Sequence, residues 1–140
     1  MAPSPRPGEF ALIRRYFAPL AAGNPAALDL TDDAALLTPP EGRQIVLTTD
    51  TVVAGVHFPE GEDAGDVARR LLRVNLSDLA AMGARPEGYL LNLALTPDTD
   101  EAWLSGFTAA LAADQARYGI ALLGGDTVAM AGPMTLALTA

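Results

Sequence analysis

The chain has 140 residues, of which 50% are hydrophobic and 19% charged, which is typical of one globular domain and not of a disordered or fibrous protein. Seventeen acidic side chains against nine basic ones give a net charge of −8, which argues against nucleic acid or an anionic membrane surface as the main partner. There is no cysteine and one histidine, so disulfides, zinc–thiolate sites, cysteine nucleophiles and multi-histidine metal sites are excluded.

The first residues of the chain predict a tail followed by a short helix. Residues 1–8 contain three prolines and a glycine, so we expect a flexible tail, followed by one domain over residues 9–140. No apolar h-region or spanning stretch is present, so we expect a cytoplasmic protein that makes no membrane contact. Apolar residues at helical spacing follow Glu9 and predict a short helix that Pro19 helps to end. Its apolar stripe is Phe10, Ile13, Phe17 and Leu20.

The middle of the chain predicts two strands and a long helix. The apolar run at residues 34–37 predicts a short strand, and the β-branched run at 44–53 predicts a second. A long helix is predicted over residues 63–83, before Pro86. The apolar stripe of this helix is Val67, Leu71, Val74 and Met82.

The last third predicts three more elements and then the fold class. Residues 89–95 are nearly all apolar, which predicts a strand covered on both faces. Asp98 or Asp100 would cap a second long helix, with its apolar stripe running from Trp103 to Tyr118. A buried strand at 120–123 should end at Gly124-Gly125-Asp126, and a last strand follows at 134–139. This order of helices and strands predicts a helix-covered sheet of the α/β or α+β class.

Five aspartates fall where solvent-facing acids are not expected. Asp32 and Asp33 open a predicted strand, and Asp78 shares a helical face with Leu71 and Val74. A carboxylate that faces the sheet must be paired, neutralised or bound to a cation. Several carboxylates in a chain without lysine favour Mg²⁺, although each aspartate alone could be a cap or turn residue. The other two aspartates are Asp50, inside a predicted strand, and Asp126, at the end of another.

Two further features bear on phosphate chemistry. The paired glycines before Asp126 would let backbone N–H groups approach a phosphate, although a Gly-Gly pair is also common in plain turns. The single histidine, His57, follows the strand of Asp50 and could be an ordinary loop residue or a ligand contact. Because all nine basic residues are arginine, neither a Walker A lysine nor a protein-kinase lysine is available for ATP.

Four motifs occur in a specific order: TDDAALL (31–37), TTDTVVAGVHF (48–58), VNLSDLAAMGARP (74–86) and LLGGDT (122–127). Together they resemble the N-terminal half of the thiamine-monophosphate kinase family, within the AIR-synthetase-like ATP-binding superfamily. The resemblance implies a PurM-like N-terminal domain, a mixed sheet covered by helices, which pairs into a barrel in a homodimer. It also implies Mg²⁺-dependent, in-line transfer of the ATP γ-phosphoryl group to thiamine monophosphate, giving thiamine diphosphate without a phospho-enzyme.

The resemblance also implies a role for each matching residue. Gly125 and Asp126 would belong to the nucleotide-phosphate site, and His57 would contact the thiamine substrate. Two features depart from the family: Thr31 replaces a usual glycine, and family members are longer, with a C-terminal domain that this chain is expected to lack. No catalytic residue is implied beyond the metal ligands, which would be Asp33, Thr48, Thr49, Asp50, Asp78 and Asp126.

Two other functions stay open from the sequence. The chain could belong to another AIR-synthetase-like enzyme, such as AIR synthetase or selenophosphate synthetase, although His57-Phe58 and residues 81–84 disfavour this. Alternatively, the isolated chain could be a non-catalytic dimerisation module. A screen of phosphate acceptors separates the first alternative from a thiamine-monophosphate kinase, and activity with and without the missing half separates the second.

Overall fold

The computed structural model describes residues 7–140, so residues 1–6 of the expected tail lie outside the described part. The helical elements are α1 (Glu9–Leu12), a π-helical segment (Ile13–Phe17), α2 (Ala18–Ala21), a 3₁₀ segment (Pro25–Leu30), α3 (Ala64–Ala81) and α4 (Glu101–Tyr118). The strands are β1 (Thr49–Val53), β2 (Gly88–Leu95), β3 (Ala121–Ala129) and β4 (Thr135–Thr139). Within residues 7–140, no helix is both long and apolar enough to cross a membrane.

The four strands form one mixed sheet in the order β1-β4-β2-β3. β4 pairs antiparallel with both β1 and β2, whereas β2 and β3 are parallel and are connected through α4. α3 lies against β1 and β4 and also packs along α4. The predicted class, a mixed sheet packed against helices, is therefore confirmed.

The core lies between the sheet and the two long helices. Leu93 and Leu136 are 1% and 0% exposed, and Phe107 of α4 is 0% exposed. Each such side chain contributes about 1.5–3 kcal/mol relative to an exposed position. Burial of this kind, more than helix propensity, holds α3 and α4 in place.

Side-chain caps and a glycine fix the ends of the long helices. The Asp63 carboxylate accepts hydrogen bonds from the backbone N–H of Gly65 (2.9 Å) and Asp66 (3.2 Å) at the start of α3. Asp100, and not Asp98, caps α4 by accepting from the N–H of Trp103 at 2.8 Å. Gly119 ends α4 in the left-handed conformation, where glycine has no steric penalty.

The N-terminal helix forms, and Phe17 and Leu20 of its predicted stripe are buried, but Phe10 and Ile13 are not. Leu12 and Tyr16 are buried, whereas Phe10 is 72% exposed. The buried side thus starts at Leu12 and continues through the π-helical segment Ile13–Phe17 at Tyr16 and Phe17. Pro19 lies in the first turn of α2, where a missing N–H is tolerated, so it does not end the helix.

Two predicted strands in the first half are wrong or too long. Residues 34–37 form no strand, and Leu36 is 67% exposed. The strand predicted over residues 44–53 covers only Thr49–Val53, and Leu47 before it is 70% exposed. The last ladder bonds with β4 join Thr48 and Ala140 in both directions, so residues 44–47 have no strand opposite them in the described chain.

β2 is covered on one face only, which corrects the prediction for residues 89–95. Along β2, Leu91 and Leu93 are buried, but Leu90 is 43% exposed and Asn92 is also exposed. β2 is also an interior strand and not an edge strand, because β4 and β3 flank it. One face of β2 is therefore largely open, whereas the start of β3 also packs against the N-terminal helical segments, since Leu123 is buried with Ala21 and Ala27.

Candidate metal and nucleotide site

Asp78 lies in the last turn of α3 beside the residue that precedes β1. Its Oδ2 accepts a hydrogen bond from the Thr48 hydroxyl at 3.1 Å, and this joins two motifs that are 30 residues apart. The prediction that Asp78 lies on the buried stripe is wrong, because Asp78 is exposed. The buried stripe continues from Leu71 to Asn75 and Leu79 instead. Asp78 is thus a solvent-accessible carboxylate next to a hydroxyl, a donor pair that suits a hydrated Mg²⁺.

Thr49 and Asp50 project from opposite faces of β1, because side chains alternate along a strand. Asp50 is in register with Leu138, whose side chain faces the helices, so the half-buried Asp50 lies on the same side as Thr48. Thr49 faces the open side, where its hydroxyl accepts from the Thr139 hydroxyl (3.0 Å) and donates to the carbonyl of Leu138 (3.1 Å). Thr139 is a contact that the sequence did not predict, although the alternating threonines of the last strand were the available signal.

Gly124, Gly125 and Asp126 lie inside β3 and not at its end, which corrects the predicted strand boundary. The register between β2 and β3 shifts at Tyr89/Leu90. Gly125, which is paired with Leu91 beyond this shift, has a φ of +151°, and a Cβ on it would overlap the carbonyl of Leu91. Gly125 therefore has a structural reason to be glycine, whatever binds beside it.

Asp126 is exposed on β3, in register with Asn92 of β2. Its Oδ1 accepts a hydrogen bond from the N–H of Thr127 at 2.8 Å, which leaves the other oxygen facing outward. Asp32 and Asp33 are exposed in the loop after the 3₁₀ segment. These three aspartates and Gly125 line one broad groove of about 2080 Å³ along the open sheet face.

The residue that replaces the usual glycine before the double aspartate has an ordinary conformation. Thr31 has a φ of −108°, which any residue adopts, so the substitution does not strain the turn. The three residues before it, Leu28, Asp29 and Leu30, all have left-handed φ values of 48°, 55° and 55°. Left-handed backbone costs roughly 1–2 kcal/mol per non-glycine residue, so the neighbouring packing must hold this bend.

His57 lies in the loop after β1, at the opposite end of the strand from Thr49. Four residue steps separate Thr49 from Val53, or roughly 13 Å along a strand. The imidazole is exposed, and its Nδ1 accepts a hydrogen bond from the N–H of Val53 at 3.1 Å. The structure therefore does not place His57 beside Thr48 and Asp78.

The residues implied as metal ligands thus occupy two places. Thr48, Asp50 and Asp78 lie at the start of β1 on the helix side, whereas Asp33 and Asp126 line the groove. Across residues 7–140, no three histidine or acidic side chains come close enough together to hold a metal ion by themselves. An arrangement without three clustered carboxylates suits Mg²⁺ better than a fully protein-bound cation, because Mg²⁺ keeps waters and takes oxygens from substrate phosphates.

The sequence model for the N-terminal domain of AIR synthase related proteins matches residues 31–140 of this chain. The chain belongs to this family. The matched range contains all the residues to which the sequence analysis gave site roles.

Within the AIR synthase related family, the chain is similar to thiamine-monophosphate kinases. It is 49% identical to that of Caulobacter vibrioides over 95% of this chain, but it spans only 38% of the relative's length. A crystal structure of the enzyme from Stenotrophomonas maltophilia is 45% identical, with a TM-score of 0.78, and covers 94% of this chain and 41% of that one. The structure of AaThiL complexed with AMPPCP and TMP is 26% identical, with a TM-score of 0.63, over 66% of this chain and 30% of that one.

Proposed function

We propose that the chain is the N-terminal domain of an enzyme that transfers the γ-phosphoryl group of ATP to thiamine monophosphate, giving thiamine diphosphate. The observation that carries this proposal is the 49% identity with a thiamine-monophosphate kinase across 95% of the chain. The complex of AaThiL with AMPPCP and TMP supports the pair of substrates, since AMPPCP is an ATP analogue. Because both substrates are charged metabolites of the cell interior, the proposal includes a cytoplasmic location.

The proposed chemistry requires charge neutralisation and positioning, not a protein nucleophile. In-line phosphoryl transfer needs donor and acceptor phosphates held together while their charge is screened. We assign Mg²⁺ to the oxygens of Thr48, Asp50 and Asp78 on the helix side, with Thr49 at the same end of β1. When bound, Mg²⁺ would screen the charge on the phosphates. Asp33 and Asp126 would hold further Mg²⁺ from the groove.

The remaining implied residues complete the proposed site. The exposed backbone around Gly125 lies next to Asp126 and would approach the nucleotide phosphates. His57, at the other end of β1, would contact the thiamine substrate. The distance between the two ends of β1, roughly 13 Å, is compatible with one extended substrate pair but not with a compact single-ion site.

The proposal also includes a homodimer formed through the open sheet face. Leu90 and Val128 expose 43% and 50% of their area on two neighbouring strands. A second copy of the chain placed on this face would cover both residues, and because they line the same groove as Asp126, the groove would lie between the two copies. This arrangement agrees with the barrel that the resemblance implies.

One assay tests the proposed activity. Thiamine diphosphate formation from ATP and thiamine monophosphate is measured with the 140-residue chain alone and with the C-terminal part of a thiamine-monophosphate kinase added in trans. We expect turnover only in the mixture, because the chain spans 38% of the relative's length. Transfer to another phosphate acceptor but not to thiamine monophosphate would contradict the proposed substrate. Full activity of the chain alone would show that the active site is misplaced.

The metal assignment has its own prediction. Millimolar Mg²⁺ should raise the melting temperature of the protein, because Mg²⁺ binds only the folded state. At a tenfold excess over Kd, the expected gain in unfolding free energy is about 1.4 kcal/mol. Asp78→Asn and Asp50→Asn should each reduce this rise. Asp66→Asn removes the same charge from an exposed, ion-paired position on α3 and should leave it unchanged. An undiminished rise in Asp78→Asn would refute the assignment.

A further inference from the structure

The turn that follows β1 is held by a dense set of hydrogen bonds. The carbonyl of Val53 accepts from the N–H groups of Val56 (3.1 Å) and His57 (2.8 Å), and Gly55 N–H donates to the carbonyl of Phe58 at 2.8 Å. Gly55 has a φ of +77°, which glycine adopts without strain. Phe58 is buried and fixes the far end of the turn. The turn is therefore a rigid platform for the exposed imidazole.

β1 is an edge strand, so half of its backbone groups point away from the sheet. The N–H groups of Thr48 and Ala54 donate to Ala140 and Met134, on the β4 side. Because these directions alternate along a strand, the N–H of Val53 points to the open edge. The Nδ1 of His57 accepts this hydrogen bond at 3.1 Å and so closes the edge at the last residue of β1.

A nitrogen that accepts a hydrogen bond carries no proton, and this determines the state of the ring. With Nδ1 as acceptor, the neutral imidazole carries its proton on Nε2. We propose that the His57 imidazole locks the turn after β1 through Nδ1 and thereby presents Nε2–H as a hydrogen-bond donor to the bound substrate. Resting on the proposed function, this means that the imidazole recognises an acceptor atom of thiamine monophosphate, not a donor.

Nuclear magnetic resonance of the ¹⁵N-labelled protein tests the inference without any activity. At about pH 8, long-range ¹H–¹⁵N spectra should show an unprotonated Nδ1 and a protonated Nε2 for the chain's only histidine. A protonated Nδ1 would overturn the proposal. This result is independent of the kinase assay, so a failure of the proposed substrate and a failure of the lock give different outcomes.

Two variants separate the two nitrogens of the ring. In His57→Asn the side-chain oxygen occupies the place of Nδ1, so the exchange protection of the Val53 amide should be kept within about twofold. In His57→Gln the amide nitrogen occupies the place of Nε2 and the acceptor is lost, so protection at Val53 should fall roughly three- to tenfold. Val56→Ala, at a position 74% exposed in the same turn, is the matched control and should leave protection unchanged. Equal protection in the glutamine variant and the unsubstituted protein would refute the lock.

Discussion

Gly124 and Gly125 are adjacent in sequence but meet different constraints. A Cβ on Gly125 would overlap the carbonyl oxygen of Leu91 on β2, at a φ of +151°. A Cβ on Gly124 would meet the nearest atom, a methyl carbon of Leu90, at 3.5 Å, which is ordinary contact. The close approach of β3 to β2 therefore depends on one of the two glycines.

We expect Gly125→Ala to destabilise the protein by about 3 kcal/mol or more, because the overlap is with backbone that cannot move aside without breaking the β2–β3 ladder. Gly124→Ala should change stability by less than about 1 kcal/mol. Urea unfolding followed by circular dichroism measures both variants. Equal stability of the two variants would show that Gly125 does not approach the Leu91 carbonyl as closely as described.

Tyr89 begins the buried part of β2 with a hydroxyl that has no hydrogen-bond partner among the described residues. Burial raises the pKa of the Tyr89 hydroxyl well above its usual range near 10. The folded state therefore keeps this proton at pH values where the unfolded state releases it. The contribution of Tyr89 to the unfolding free energy is therefore fully present below about pH 10 and is lost as the pH rises above that value.

Tyr89→Phe should remove this loss. Above about pH 10 the unsubstituted protein should lose about 1.4 kcal/mol of unfolding free energy per pH unit through this group. The unfolding free energy of the phenylalanine variant should decline less steeply over this pH range. Unfolding midpoints in urea between pH 8 and about pH 11 measure the difference, and parallel curves would contradict the prediction.

At the scale of elements, one ion pair joins the two long helices. Arg73 of α3 donates two hydrogen bonds, both 2.8 Å long, to the two carboxylate oxygens of Asp114 on α4. The Asp114 side chain is only 5% exposed, and its hydrogen bond raises the pKa of the Arg73 guanidinium. A bidentate ion pair with a buried carboxylate fixes the position of α3 relative to α4. Neither residue belongs to the proposed site, so the role of the pair is to stabilise the packing of α3 on α4.

Asp114→Asn should lower the unfolding free energy by about 2 kcal/mol, because it keeps the shape of the side chain but removes the charge from the bidentate pair with Arg73. Asp66→Asn is the matched control, since Asp66 pairs with Arg69 of the same helix at an exposed position where ion pairs contribute little. Thermal unfolding compares the two variants. A loss no larger than that of the control would mean that apolar packing alone fixes α3 on α4.

For the whole molecule, the most consequential feature is the open face of the sheet. Leu90 and Val128 expose 43% and 50% of their area on this face, and exposed apolar residues on neighbouring strands are the basis for the proposed dimer. We expect a homodimer at micromolar concentration, and we expect Leu90→Arg to dissociate it. Val74→Arg, at a residue 38% exposed on α3, is the control and should remain dimeric. Sedimentation equilibrium that shows only a 14.5 kDa species for the unsubstituted protein would refute the dimer.

The sequence by itself determined the long helices, the last strand and the fold class. Capping aspartates and helical spacing are local signals, and they placed α3 and α4 to within a few residues. The order of the elements then left a helix-covered sheet as the class. The motifs also marked which residues to examine, because Thr48 and Asp78 occur in two of them.

Only the tertiary structure decided which faces are buried and which residues meet. Val74 was chosen for the buried stripe of α3 because it is apolar, yet the buried residue is Asn75, whose amide donates to Leu71 O at 2.9 Å. Residues 44–47 look like a strand, but within residues 7–140 no strand lies opposite them, and strand pairing depends on a partner that local sequence does not contain. The contact of Thr48 with Asp78 and the separation of both from His57 likewise follow from how β1, α3 and β4 pack, since these groups are far apart along the chain.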